Sequence, residues 1–208
     1  MIPKILFQTS PEPQPEYVLK MLHERAPGWT YQHFTDQQIV QYFIEHPEPE
    51  FPFIVHRFHE MRFGAHKADL FRYYFLYQNG GVFLDSDAMI EMPMDQIVLD
   101  YELFSVKSYI EGTIFQGFIG CIPKHPVLKA ALTDAYLVDI DRLTRIYHLL
   151  TANMWNFFRE YIMNGGHVKL YCELESDDEK AETVDDSGSR ILMHYWKHKV
   201  VPPINISI

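Results

Sequence analysis

The chain has 208 residues, 47% hydrophobic and 15% aromatic, which suffices for one domain with a sizeable core. A formal net charge of −10 with no basic patch argues against a nucleic-acid partner, and two cysteines, Cys121 and Cys172, are too few for a disulfide scaffold. No apolar run approaches the length of a membrane span and MIPKILFQTSPEPQPEY lacks a secretory-signal pattern, so a soluble cytoplasmic protein is expected.

Residues 2–8 (IPKILFQ) read as a first buried strand followed by a proline-marked turn. Residues 15–26 repeat apolar positions at helical spacing, with Pro15 suited to a first turn. Pro27-Gly28 breaks the chain, WTYQHF alternates like a strand, and Thr35-Asp36 supplies capping chemistry for a helix to about Glu45. Residues 54–78 form the longest helical region, with a break expected near Gly64, and Asn79-Gly80-Gly81 ends it. VFLD, FSVKSY and IFQGFIGCI are the next strands. Helices follow over 125–137 and 144–163, then a strand at HVKLYCE. This alternation predicts a single α/β domain over residues 1–208, with a largely parallel, Rossmann-like central sheet flanked by helices. Residues 173–190 hold eight acidic residues, two basic ones and no aromatic, and read as a solvated flexible loop; a mobile lid is the alternative.

Two D-x-D tripeptides compete for attention. Asp85-Ser86-Asp87 follows the apolar strand VFL directly, and ligands of α/β sheets bind just beyond the carboxyl ends of strands. Asp139-Ile140-Asp141 has no such strand before it and is expected to be surface charge. In an extended segment Asp85 and Asp87 point to the same side, so both could face one hard cation, Mn²⁺ or Mg²⁺. A haloacid-dehalogenase-type phosphatase with Asp85 as nucleophile is a competing reading, although Met89 stands where that motif has Thr or Val. Asp69 and Arg72, three apart on the preceding helix, share a face and form either a structural ion pair or part of a site.

Together these residues spell D-x2-R-x12-D-x-D within KADLFRYYFLYQNGGVFLDSD. That composite resembles the D-x-D sugar-binding region of a GT-A glycosyltransferase family, which includes the yeast initiating α-1,6-mannosyltransferase, the large clostridial glucosylating toxins and enzymes of large DNA viruses. IPKILFQT, PGWTYQHFTD and GFIGCIPKHP are similar to further segments of the same family. The resemblance implies a GT-A-type fold and transfer of a sugar, with retention, from a nucleotide-diphosphate donor to a hydroxyl of a glycan, protein or glycoconjugate. UDP is the first candidate nucleotide and GDP the second. It assigns Phe7, Gln8 and Thr9 to the base and ribose, Asp69 and Arg72 to the donor sugar, and Gln116 to sugar or acceptor. Asp85 would contact donor and metal, Ser86 the substrate, and Asp87 the metal directly. In the C-terminal MHYWKH, His194 is the candidate further metal ligand, with Trp196 and Lys197 at the diphosphate and His198 in reserve; an aromatic strand with incidental histidines is the alternative. A nucleotide-sugar-binding protein without transfer activity would carry much the same residues.

Overall fold

The computed structural model describes residues 1–177 and 180–195. Strand β1 (Ile5–Thr9) alternates its side chains between two cores, with Leu6 on one side and Phe7 on the other. Helix α1 (Glu16–Arg25) follows and buries Val18, Met21 and Leu22, a stripe at helical spacing. Strand β2 (Thr30–Phe34) lies parallel to β1. Helix α2 (Asp36–Glu45) opens on a complete capping box in which Thr35 and Gln38 satisfy each other's backbone N–H groups.

The long helical region divides, as its glycine suggests, into α3 (Ile54–Glu60) and α4 (Gly64–Asn79). Helix α4 is buried on all sides from Asp69 to Tyr77, so it runs through the interior of the molecule and carries two charged residues with it. It ends at Gly80 and Gly81, both with positive φ. A Cβ on Gly81 would stand 2.8 Å from the Ile5 carbonyl oxygen, so only glycine lets the chain turn directly into β3 (Gly81–Leu84) beside β1.

The remaining elements are β4 (Ala88–Ile90), α5 (Met94–Val98), β5 (Leu103–Lys107), β6 (Ile114–Cys121), α6 (Pro126–Leu137), α7 (Ile140–Arg145), α8 (Leu149–Met163), β7 (Lys169–Asp177), β8 (Lys180–Val184) and β9 (Arg190–Tyr195). They form one nine-stranded sheet in the order β2-β1-β3-β6-β5-β7-β8-β9-β4. The α/β single-domain class stands, but the sheet is mixed rather than largely parallel. Strand β1 is parallel to β2 and β3, and β5 to β7, whereas the other five pairings are antiparallel. Short links such as 108–113 between β5 and β6 leave no room for a crossover helix and force antiparallel pairing. The described part of the acidic segment is likewise not simply a loop: residues 173–177 belong to β7 and 180–184 form β8, paired to each other, with β8 also paired to β9.

The link between β3 and β4 dictates the shape of this sheet. These strands occupy the third and ninth positions, six spacings apart, or roughly 29 Å in a flat sheet. Only Asp85, Ser86 and Asp87 join them, and three residues reach roughly 10 Å. The sheet must therefore curl until its far edge meets the end of β3. Both cysteines are free, Cys121 buried and Cys172 exposed. Among the described residues no helix is long and apolar enough to cross a membrane.

Candidate functional site

The curl places a cleft of about 340 Å³ where α4, the end of β3, β6, β7 and β9 converge. Asp69, Arg72, Asp85, Gln116, Glu173 and His194 all contribute to its wall.

Arg72 is the centre of the buried charge. Its Nε lies 3.5 Å from Asp69 Oδ1, its Nη2 donates to Asp85 Oδ1 at 3.4 Å, and its Nη1 donates to the Gln116 carbonyl at 2.6 Å. The guanidinium also stacks over the Phe83 ring at 4.1 Å. Burial pushes the Asp69 and Asp85 carboxyls up, and the Arg72 charge pulls both back. The pair Asp69–Arg72 is thus both a structural ion pair and part of the cleft wall.

The backbone of Asp85 is fixed from two sides. Its N–H donates to the Gly117 carbonyl at 2.7 Å, and its carbonyl accepts from Gln8 Nε2 at 3.0 Å. Gly117 also leaves room for the carboxylate, since a Cβ there would stand 2.2 Å from Asp85 Oδ2. Two residues on, the Asp87 carbonyl accepts from the Tyr195 N–H at 2.9 Å, which locks the tripeptide to β9. Ala88 and His194 are directly opposed in the β4–β9 ladder, and His194 Nε2 lies 3.3 Å from Asp87 Oδ1. Asp85, Asp87 and His194 each offer a ligand atom, and these atoms all lie within 4.8 Å of one another. Burial opposes a charge on His194, but the carboxylates of Asp87 and Glu173 beside it outweigh that and push its pKa up to about 10. The imidazole therefore stands in a carboxylate environment that favours positive charge.

Gln116 is 3% exposed, and its side-chain oxygen accepts from the Tyr73 hydroxyl. Its Nε2 is buried without a partner among the described residues. The nucleotide-contact expectations divide. The Phe7 ring is fully buried among Phe34, Phe71, Phe75 and Phe83, so it supports β1 from the core rather than presenting a face to a ligand. Gln8 is also fully buried, held between Tyr31 and Asp85. Thr9 and Ser86 are half-buried at the strand ends, outside the cleft wall. Trp196, Lys197 and His198 lie outside the described residues. The rival Asp139 caps α7 by accepting from the Arg142 N–H at 2.6 Å, and Asp141 pairs with Arg62 on the surface.

One carboxylate of the cleft escaped the sequence reading. Glu173, at the start of the acidic segment, points inward with its side chain 3% exposed. Strand alternation was the available signal: Tyr171 and Glu173 face in, Cys172 and Leu174 face out.

Residues 13–104 match the model of the glycosyltransferase sugar-binding region containing the DXD motif. The chain is 30% identical over 137 residues to the mannosyl phosphorylinositol ceramide synthase SUR1 of Saccharomyces cerevisiae, an alignment covering 64% of this chain and 34% of the relative. It is 29% identical over 110 residues to inositol phosphoceramide mannosyltransferase 1 of Schizosaccharomyces pombe, covering 53% and 33%. The chain thus spans about a third of the length of these curated relatives. Among solved structures, the PaToxG glycosyltransferase superposes with a TM-score of 0.53 at 12% identity over 78% of this chain and 71% of that one, a likeness of fold alone. Motif and fold point the same way: residues 13–104 are similar to the DXD-containing sugar-binding region of glycosyltransferases, on an α/β fold like that of a solved glycosyltransferase.

Proposed function

We propose that the chain transfers a sugar from a nucleotide-diphosphate donor to a hydroxyl acceptor, using a divalent cation held by Asp85, Asp87 and His194. The observation that carries this reading is the meeting of those three side chains, two from the β3–β4 link and one from β9, beside the buried Asp69–Arg72 pair. Two carboxylates and an imidazole fit the group: the oxygens suit a hard ion, and the nitrogen favours Mn²⁺ over Mg²⁺, which prefers oxygen throughout. Bound there, a divalent ion supplies neutralisation of the charge that grows on the diphosphate as the glycosyl–oxygen bond breaks.

The chain's own residues do the rest. Arg72, fixed by two carboxylates and a carbonyl, presents positive charge to the donor at no reorganisation cost. Asp69, half of that ion pair, accepts hydrogen bonds from sugar hydroxyls. The unpartnered Gln116 Nε2 offers a donor to an oxygen of the sugar or the acceptor. One fungal relative is named a mannosyltransferase and the other a mannosyl phosphorylinositol ceramide synthase, which supports mannose among the donor sugars and keeps GDP beside UDP as the nucleotide. Retention of configuration rests on the family resemblance. Phosphoryl capture by Asp85 is disfavoured, because one of its oxygens is paired with Arg72 and the other lies close over Gly117.

The test is a thermal-shift panel of UDP and GDP with and without Mn²⁺. Ligand at one hundred times its Kd stabilises the folded state by about 2.7 kcal/mol. One nucleotide is expected to raise Tm only with Mn²⁺, and Asp87→Ala removes the effect while Asp139→Ala keeps it. Equal shifts without metal, or in Asp87→Ala, overturn the reading. Release of free sugar from the matching nucleotide sugar distinguishes an enzyme from a binding protein of the same geometry.

A further inference from the structure

Glu173 has no part in the reaction as proposed above, yet it is among the most deeply buried charged side chains of the cleft. Its Oε2 accepts from Ser108 Oγ at 2.6 Å and from the Tyr109 N–H at 3.4 Å. Both donors sit in the turn after β5, where the parallel register of Lys107 with Cys172 delivers Glu173. Its Oε1 lies 3.9 Å from His194 Nδ1, an ion-pair contact. The opposite ring nitrogen, Nε2, faces Asp87. Phe115 lies against the face of the same ring, with centroids 4.4 Å apart.

A histidine that gives its Nε2 lone pair to a cation must carry its proton on Nδ1, and that proton needs an acceptor. A carboxylate held rigidly at Nδ1 selects that tautomer and fixes the direction of the ring. We propose that Glu173 is the positioning residue of the cation site, turning His194 Nε2 toward Asp85 and Asp87 by accepting from Nδ1. Ser108 and the Tyr109 amide hold the carboxylate in place for this role. The proposal rests on the reading of Asp85, Asp87 and His194 as cation ligands.

The experiment is titration of Mn²⁺ alone into the full chain, followed by the loss of the free-ion electron paramagnetic resonance signal, with circular dichroism to check folding. Glu173→Ala is expected to weaken Mn²⁺ binding about 10- to 100-fold. Glu173→Gln, which keeps a carbonyl acceptor, recovers most of the affinity. In a His194→Ala background the Glu173→Ala change has no further effect, whereas a merely structural anchor for the β5–β6 turn would cost the same in both backgrounds. Should Glu173→Ala fail to fold, Ser108→Ala loosens the same carboxylate, and it too is expected to weaken binding. Wild-type affinity in the folded variant, or equal losses in both backgrounds, overturns the positioning role. Absence of Mn²⁺ binding in the wild-type chain overturns the cation site itself, a separate and visible failure.

Discussion

His194 stands directly across the β4–β9 ladder from Ala88, and its Nε2 reaches to 3.3 Å from Asp87 Oδ1. Nothing local brings these two together. The three-residue link from β3 to β4 carries Asp87 to the far edge of the sheet, and β9 carries His194 to the same edge. The imidazole and the D-x-D carboxylates are consequently one unit. His194→Ala is expected to raise the Kd for Mn²⁺ at least about tenfold, as loss of a ligand or its support does. Isothermal titration with Mn²⁺ measures it, and an unchanged Kd would show that the carboxylates act without the imidazole.

Gly117 permits a second test that removes no functional group. A Cβ at this position would come 2.2 Å from Asp85 Oδ2 and 2.3 Å from the Phe115 ring, and the ring of Phe115 in turn lies against His194. Gly117→Ala must therefore displace the carboxylate, the aromatic ring or both. A clash of this kind costs about 1–3 kcal/mol in a packed site. The expected result is a folded protein that loses Mn²⁺-dependent nucleotide stabilisation. A variant with wild-type nucleotide shifts would mean that Asp85 has no fixed place in the site.

Much of this arrangement could be read from the residues. The apolar run before Asp85, the glycines that end α4 and the spacing of Asp69 and Arg72 are local signals, and local signals survive in sequence. The capping box at Thr35 is another. What escaped was long-range. Strand β4 is three residues long and, among the described residues, pairs with β9 alone, so no periodicity announces it, and the curl that follows from it was invisible. The acidic segment misled for a related reason. In β7 the charged Glu173 faces in and Leu174 faces out at 50% exposure, the reverse of the hydropathy rule. A local rule broken inside a strand marks a site where function competes with packing.

His125 predicts how the fold responds to acid. Its Nδ1 accepts from the Val127 N–H and so caps α6, while burial lowers its pKa from 6.5 to about 4. A histidine depressed in the folded state stabilises the protein above its unfolded pKa and loses that contribution as pH falls through the folded one. Protonation would also destroy the acceptor that caps the helix. Tm is therefore expected to decline between pH 6.5 and about 4, and His125→Asn, which keeps a capping oxygen, should flatten that decline. Parallel Tm profiles for the two proteins would assign the acid sensitivity to other groups.

Tyr73 and Gln116 offer the most selective probe of the donor sugar. Because the Tyr73 hydroxyl donates to the Gln116 side-chain oxygen, the amide nitrogen is turned the other way and is left without a partner among the described residues. A buried unpaired donor costs about 1–3 kcal/mol, a cost that a ligand oxygen arriving at that point relieves. Tyr73→Phe releases the amide to flip and present its oxygen instead. The lost hydrogen bond, about 1 kcal/mol, should lower Tm by about 2–4 °C. Binding should respond unevenly. Affinity for the nucleotide sugar is expected to fall about tenfold, equivalent to about 1.4 kcal/mol, while affinity for the nucleoside diphosphate stays as it was. Competition titrations of the two ligands against the same Mn²⁺-loaded chain measure the difference. Equal losses for both would place Gln116 at the nucleotide rather than at the sugar.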